Sequence, residues 1–165
     1  MEQSPILNIN DLEFMQWGDG GRFEARLGAL GTRLGSRKLG YRMVVLPPGK
    51  TAWPFHFHHV NEEMFFIIEG TGTLRYGEAE YPVKAGDVIC CPAGTGKGHQ
   101  IMNTSGAELR YLAVSTMEVP EVAEYPDSGK FGVIAGSPPG ADPARRTFSL
   151  FDFKSAGVDY WEGES

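Results

Sequence analysis

The sequence predicts an all-β protein, a sandwich or a barrel of short strands. Glycine and proline account for 22 and 11 of the 165 residues, well above the share of about 12% that they hold in average proteins. They are neither periodic, as in collagen, nor gathered into a linker. They separate short β-rich runs instead, which is typical of an all-β fold. Between residues 39 and 116 no long stretch shows helical periodicity.

The central part of the chain is expected to contain eight strands, each ended by a turn signal. The first, Leu39 to Leu46, is stopped by Pro47-Pro48-Gly49, and Lys84-Ala85-Gly86-Asp87 forms a tight turn before the sixth. The expected strands are 39–46, 52–58, 63–68, 73–76, 80–83, 88–91, 98–102 and 109–115.

The flanking segments carry fewer signals. Asp11 to Trp17 is compatible with a short helix or a strand, and a glycine-rich segment follows it. Because five prolines are scattered over residues 117–147, this segment is expected to wrap the surface as an ordered loop. Phe148 to Phe153 alternates with polar residues and predicts one more strand.

The length and continuity of the chain predict a single domain over residues 1–165. A chain of this size buries about two-thirds of its unfolded surface, so it needs no disulfide for stability. The sequence shows no internal repeat and no linker. The β-rich core is expected at about 39–116, with the segments 1–38 and 117–165 packed on it.

Charge and cysteine content disfavour several classes of protein. A net charge of −6 argues against nucleic acid as a partner, because nucleic-acid binders are basic at least in patches. No apolar run approaches the roughly 20 residues of a membrane span, and residues 1–5 lack the basic region of a signal peptide. Cys90 and Cys91 are adjacent and, within a strand, would point to opposite faces, so no disulfide between them is expected. These features predict a cytoplasmic protein.

A histidine-rich segment followed by a carboxylate is the main chemical signal. In a strand over residues 52–58, His56 and His58 project to the same face. After a turn, Glu63 begins the antiparallel neighbour and could return a carboxylate beside the two imidazoles. Two histidines at i and i+2 with a carboxylate across a hairpin supply three metal ligands. His99, which opens a later strand, could supply a fourth.

Together with nearby glycines and prolines, these residues resemble the two motifs of the cupin superfamily. The first motif is a Gly, His-x-His, Glu and Gly, and the second is a Gly, Pro-x-Gly, His and Asn. The matching residues are Gly49, His56, His58, Glu63 and Gly70 for the first motif, and Gly86, Pro92, Gly94, His99 and Asn103 for the second. The gap before His56 is one residue longer than the usual pattern, and the loop before His99 is also enlarged. The resemblance covers residues 39–116 and is to small single-domain bacterial cupins.

The resemblance implies a double-stranded β-helix, a jelly-roll β-barrel with a metal ion inside it. It implies that His56, His58, Glu63 and His99 bind one divalent transition metal, such as Zn, Mn, Fe or Ni. Four protein ligands leave one or two positions open for water or a substrate oxygen, as catalytic metals need. The donor set does not select among these metals, since availability decides as much as affinity does.

Three functions are compatible with such a centre, and in each of them the partner is a small molecule. Small cupins of this size resemble sugar-phosphate isomerases, which implies an isomerase-like enzyme acting on a small oxygen-rich molecule such as a sugar phosphate. The alternatives are an Fe-dependent dioxygenase and a non-catalytic metal-dependent protein that binds a sugar or another metabolite. An enzyme is favoured over a binder, but the sequence indicates no general base or other catalytic residue.

Aromatic residues and a lysine near the motifs give two further expectations. Trp53, Phe55 and Phe57 lie opposite the ligand face and predict a homodimer, with packing under the chain's own termini as the alternative. Lys97, in the enlarged loop before His99, is interpreted as an exposed charge, with phosphate binding as the alternative.

Overall fold

Thirteen strands and three single-turn 3-10 helices make up residues 4–164, the part of the chain that the computed structural model describes. Residues 1–3, which bear on the expected absence of a signal peptide, and Ser165 lie outside it. The strands are β1 (Met15–Gly18), β2 (Glu24–Ala29), β3 (Leu39–Leu46), β4 (Phe57–His58), β5 (Glu63–Glu69), β6 (Thr71–Tyr76), β7 (Ala79–Lys84), β8 (Val88–Cys91), β9 (His99–Met102), β10 (Leu109–Thr116), β11 (Glu121–Tyr125), β12 (Lys130–Ala135) and β13 (Phe148–Phe153). The 3-10 helices are Ile9–Asp11, Pro143–Arg145 and Lys154–Ala156. No helix in residues 4–164 is long and apolar enough to cross a membrane.

The strands form three antiparallel sheets, which confirms the predicted all-β jelly-roll barrel. Their orders are β1-β2-β3-β10-β5-β8, β13-β12-β11-β4 and β7-β6-β9. Strands that are neighbours in space are often distant in sequence, as in β3-β10-β5, and such crossovers characterise a jelly roll. The first two strands extend the sheet that contains β3, and β11 pairs with β4. Both flanking segments are therefore hydrogen-bonded to strands of the central part.

Alternation along β3 shows how the interior is filled. Val44 and Leu46 are fully buried in the main core inside the barrel. Met43, on the opposite face, packs in a smaller cluster with Leu12 and Leu30 from the N-terminal segment. Burying a Val or Leu side chain completely contributes about 1.5–3 kcal/mol, so both faces of this strand stabilise the fold.

The segment 117–147 is not the surface loop that its prolines predicted. It forms the hairpin of β11 and β12, in which the pairing runs from Glu121↔Ile134 to Tyr125↔Lys130. Pro120 and Pro126 flank β11 on either side, where a missing backbone N–H removes no hydrogen bond from the ladder. The prolines mark the ends of a strand, and the expectation of a loop was wrong.

Two other predictions of secondary structure also differ from the fold. The glycine-rich segment after β1 contains β2, whose Ala25 and Leu27 are buried in the main core. The expected strand over 52–58 is reduced to β4 and to a single bridge at His56; Thr51, just before it, makes bridges of its own. Proline at position 54 lacks a backbone N–H, which interrupts a ladder there.

Candidate metal centre

Three of the predicted ligands, His56, His58 and Glu63, converge on one point. One ligand atom from each lies within 4.8 Å of the others. Oε2 of Glu63 is 3.8 Å from Nε2 of His56 and 3.4 Å from Nε2 of His58. The prediction that a strand, a turn and the start of β5 would bring these side chains together agrees with this geometry.

The fourth predicted ligand, His99, contacts the cluster through Glu63. Its Nε2 lies 2.7 Å from Oε2 of Glu63, and the residue is only 3% exposed. Two backbone hydrogen bonds fix its approach: the N–H of His99 donates to the carbonyl of His56 at 2.8 Å, and the N–H of His56 donates back at 3.2 Å. The enlarged loop before His99 thus does not carry its side chain away from the other three.

The rings of His56 and His58 both present Nε2 to the common point. Nδ1 of His56 donates to the carbonyl of Pro54 at 2.8 Å. Nδ1 of His58 lies 3.5 Å from Oε2 of Glu121. A carbonyl or carboxylate on the Nδ1 side of the ring, which leaves Nε2 for the ion, is the usual arrangement of histidines that bind metals; for His58 the carboxylate is at ion-pair distance, without hydrogen-bond geometry.

Unsatisfied nitrogens on His58 test whether the site fits a metal. Neither Nδ1 nor Nε2 of this buried ring has a hydrogen-bond partner among residues 4–164. A buried polar atom without a partner costs about 1–3 kcal/mol, and a cation next to Nε2 would remove that cost. Imidazole nitrogens with a carboxylate suit divalent transition metals. The residues present therefore fit such an ion.

Glu121 belongs to the site although no motif or spacing in the sequence pointed to it. The residue is 1% exposed and opens β11. Its carboxylate accepts hydrogen bonds from the N–H of Val60 at 3.3 Å, from the N–H of Asn61 at 2.8 Å and from the side-chain amide of Asn61. The hydrogen bonds hold the carboxylate against the ring of His58.

The cluster shifts the pKa values of its members in opposite directions. Burial, and after it the adjacent His99, lower the pKa of His56 to about 3, although Glu63 opposes them. Burial also lowers the pKa of His58, but the carboxylates of Glu121 and Glu63 raise it by more, to about 9. Burial raises the pKa of Glu63, whereas its contacts with His58 and His99 lower it by more, to well below the ordinary value. Without a metal, His58 is protonated at neutral pH.

These shifts predict that the metal-free protein is most stable near pH 6.5. The stabilisation from protonated His58 is complete below its unfolded pKa of 6.5 and is lost as the pH rises through about 9. On the acid side, His56 takes up its proton less readily in the folded than in the unfolded chain, and Glu63 is likewise held deprotonated, so stability falls towards pH 3. Thermal unfolding of EDTA-treated protein, followed by circular dichroism, measures this profile. In His58→Gln the alkaline decline should disappear, and a wild-type melting temperature that rises from pH 6.5 to 9 would contradict the assignment.

The cluster lines a cavity of about 740 Å³ whose wall is mainly apolar and aromatic. Two phenols, Tyr111 and Tyr125, line it too, and the ring of Tyr125 stacks on His56 with centroids 5.9 Å apart. Burial raises the pKa of both phenols. Both are therefore protonated at neutral pH and can donate to a ligand oxygen.

Aromatic residues around the histidine segment are covered by the chain itself. Phe55 is 5% exposed, and the guanidinium of Arg75 lies 3.7 Å from the centre of its ring. Trp53 packs against the main core. Neither side chain forms the outer apolar face from which a homodimer was predicted. The homodimer stays a prediction, which analytical ultracentrifugation at micromolar concentration tests.

Three polar residues near the motifs have surface or turn roles. The side chain of His59 is 44% exposed and pairs with Glu124 at 2.9 Å. Lys97 is exposed, 5.9 Å from the ring centre of Tyr76, as the surface interpretation expected. Asn103 is buried; its amide donates to the carbonyls of Leu46 and Ala107 at 2.8 and 2.7 Å, which fixes a turn.

Comparisons with known proteins agree with the fold. Residues 42–115 match the cupin domain family. The oxalate-binding protein of Thermotoga maritima is 38% identical over 69 residues, which are 42% of this chain and 54% of that protein. The matched segments thus span about half the length of the curated relatives.

Two solved structures extend the similarity to nearly the whole chain. One, a sugar phosphate isomerase of the cupin superfamily from Silicibacter pomeroyi, is 26% identical, has a TM-score of 0.75 and is covered over 94% of its length by 92% of this chain. The other, provisionally assigned as a sugar phosphate isomerase from Acidithiobacillus ferrooxidans, is 22% identical, with a TM-score of 0.79 and coverage of 94% of this chain and 96% of that one. At this identity the second structure supports the fold alone.

Proposed function

We propose that this chain, whose residues 42–115 match the cupin domain family, is a metal-dependent enzyme. We propose an isomerisation of a small oxygen-rich molecule of the sugar-phosphate type. The observation that carries the proposal is the convergence of His56, His58 and Glu63 at the wall of a cavity large enough for such a molecule. The similarity to the Silicibacter pomeroyi sugar phosphate isomerase supports the choice of reaction.

His56, His58, Glu63 and His99 would hold the ion. A divalent metal supplies Lewis acidity towards a carbonyl or hydroxyl oxygen of the substrate. The chain's own groups orient the substrate: the protonated phenols of Tyr111 and Tyr125 donate to its oxygens, and the apolar wall excludes water around them.

Metal-loaded protein incubated with a panel of aldose and ketose phosphates in heavy water tests the reaction. Isomerisation through proton transfer should interconvert one pair and introduce deuterium at the carbon next to the carbonyl, both visible by NMR. EDTA-treated protein serves as the control and should do neither. Metal-loaded protein that neither interconverts nor exchanges any member of the panel would contradict the proposal.

A second candidate function is metal-dependent binding of a small carboxylate without turnover. The observation that favours it is the 38% identity, over 69 residues, to an oxalate-binding protein. Oxalate should then raise the melting temperature of the metal-loaded protein and be recovered unchanged. Substrate turnover in the panel would decide for the enzyme.

A further inference from the structure

Arg42 lies on the inner face of the barrel. Along β3 it shares its face with Val44 and Leu46, which are fully buried in the main core. Its neighbours across the sheet are Ala29 on β2 and Ala113 on β10. Since these side chains are small, the guanidinium is left at the wall of the cavity that contains the histidine cluster.

The guanidinium of Arg42 has neither a hydrogen bond nor an ion pair with any residue in 4–164. Burial lowers the pKa of Arg42, and Glu63 opposes this only through Coulomb attraction. On the other side of the guanidinium lies Gly140, where a Cβ atom would overlap Nη2. The group is partly buried at the cavity wall, and no carboxylate within residues 4–164 neutralises it by direct contact.

A second guanidinium without a partner lines the same cavity. Nε of Arg146 is buried and has no hydrogen-bond partner in the described part of the chain. The carboxylates at this wall are Glu63 and Glu121, and both are engaged by the histidine cluster. With a divalent ion in the cluster, positive charge in the cavity exceeds negative charge, although the whole chain carries −6. An anionic ligand would compensate this excess.

We propose that Arg42 is the anion subsite of this cavity and binds the carboxylate or phosphate group of the ligand, with Arg146 beside it. The planar guanidinium matches either group through two parallel hydrogen bonds. This proposal rests on the proposed function, because it assumes that the other end of the same ligand is bound by the metal. The cavity would then bind the ligand at two places: the metal would bind its neighbouring oxygens, and Arg42 would bind its charged group.

Isothermal titration of EDTA-treated protein with inorganic phosphate and with oxalate, at low ionic strength, tests the subsite without the metal. Wild type is expected to bind at least one anion saturably; tighter phosphate indicates a phosphate ester as the ligand, and tighter oxalate a carboxylic acid. Arg42→Met should weaken this binding by about tenfold or more, because a charge-assisted hydrogen bond is lost. Arg42→Lys keeps the charge without the paired donors, so its affinity for the anion should lie between those of wild type and Arg42→Met. Arg110→Met is the matched control, since Arg110 lies on β10 and pairs with Glu69 and Glu108 away from the cavity.

Equal affinities in Arg42→Met and Arg110→Met would overturn the proposal, as would wild type that binds neither anion. If Arg42→Met does not fold, the anion affinity of Arg42→Lys tests the proposal instead. An affinity of Arg42→Lys equal to that of wild type would then overturn the proposal. Glu63→Gln separates the subsite from the proposed function: it should lose metal and activity, yet bind the anion at least as tightly, because a nearby negative charge is removed.

Discussion

Glu63→Gln is expected to lower the affinity for a divalent transition metal by more than about 100-fold while the fold is retained. Removing a residue that only supports a ligand already costs about 10- to 100-fold, and Glu63 is the carboxylate that contacts all three histidines. Its Oε2 lies 3.8, 3.4 and 2.7 Å from Nε2 of His56, His58 and His99. Glutamine keeps the shape and loses the charge. Competition titration with a zinc chelator and elemental analysis of the purified protein measure the loss.

Glu62→Gln is the matched control, because Glu62 is the preceding residue and is exposed. It should bind metal as wild type does. A folded Glu63→Gln protein with an unchanged affinity would contradict the centre. His99→Gln adds a separate test of the fourth ligand: a loss as large as that in His56→Gln supports coordination, and a small loss assigns His99 to the positioning of Glu63.

The strands whose bounds could be predicted are those whose ends are marked by residues nearby in the sequence. The bounds of β3, β8 and β13 agree with the sequence, since turn-forming residues or a change of pattern mark each end. The hairpin of β11 and β12 was missed because the number of prolines in 117–147 suggested a loop, whereas their positions lie at strand ends. The position of a proline relative to an apolar alternation carries more information than its frequency.

Most of the candidate centre could also be predicted, because its geometry is local. The i, i+2 spacing of His56 and His58 and the return to Glu63 follow from the period of a strand and one turn. Glu121 could not be found in this way, because only the pairing of β11 with β4, some sixty residues apart, places it against His58. Arg42 did carry a local signal, a charge on the buried face of the predicted strand 39–46.

Glu121→Gln is expected to weaken metal binding by about 10- to 100-fold at pH 9 and by less at pH 7. The carboxylate of Glu121 orients His58 from its Nδ1 side, 3.5 Å away, so its loss loosens a ligand at every pH. At pH 7 wild type must also displace the proton of His58, whose pKa is about 9. In the variant the proton competes less strongly with the metal, because the pKa of His58 is lower without the neighbouring carboxylate. Chelator-buffered titrations at the two pH values measure both effects.

The pH dependence separates positioning from a general loss of structure. A merely destabilised protein would lose affinity equally at both pH values, whereas loss of the carboxylate beside His58 should make the affinity rise less steeply from pH 7 to 9 than in wild type. Glu121→Asp retains the charge and should recover part of the slope. Glu124→Gln, which removes the exposed partner of His59, should behave as wild type. Parallel slopes in wild type and Glu121→Gln would show that the contact between Glu121 and His58 does not govern the metal centre.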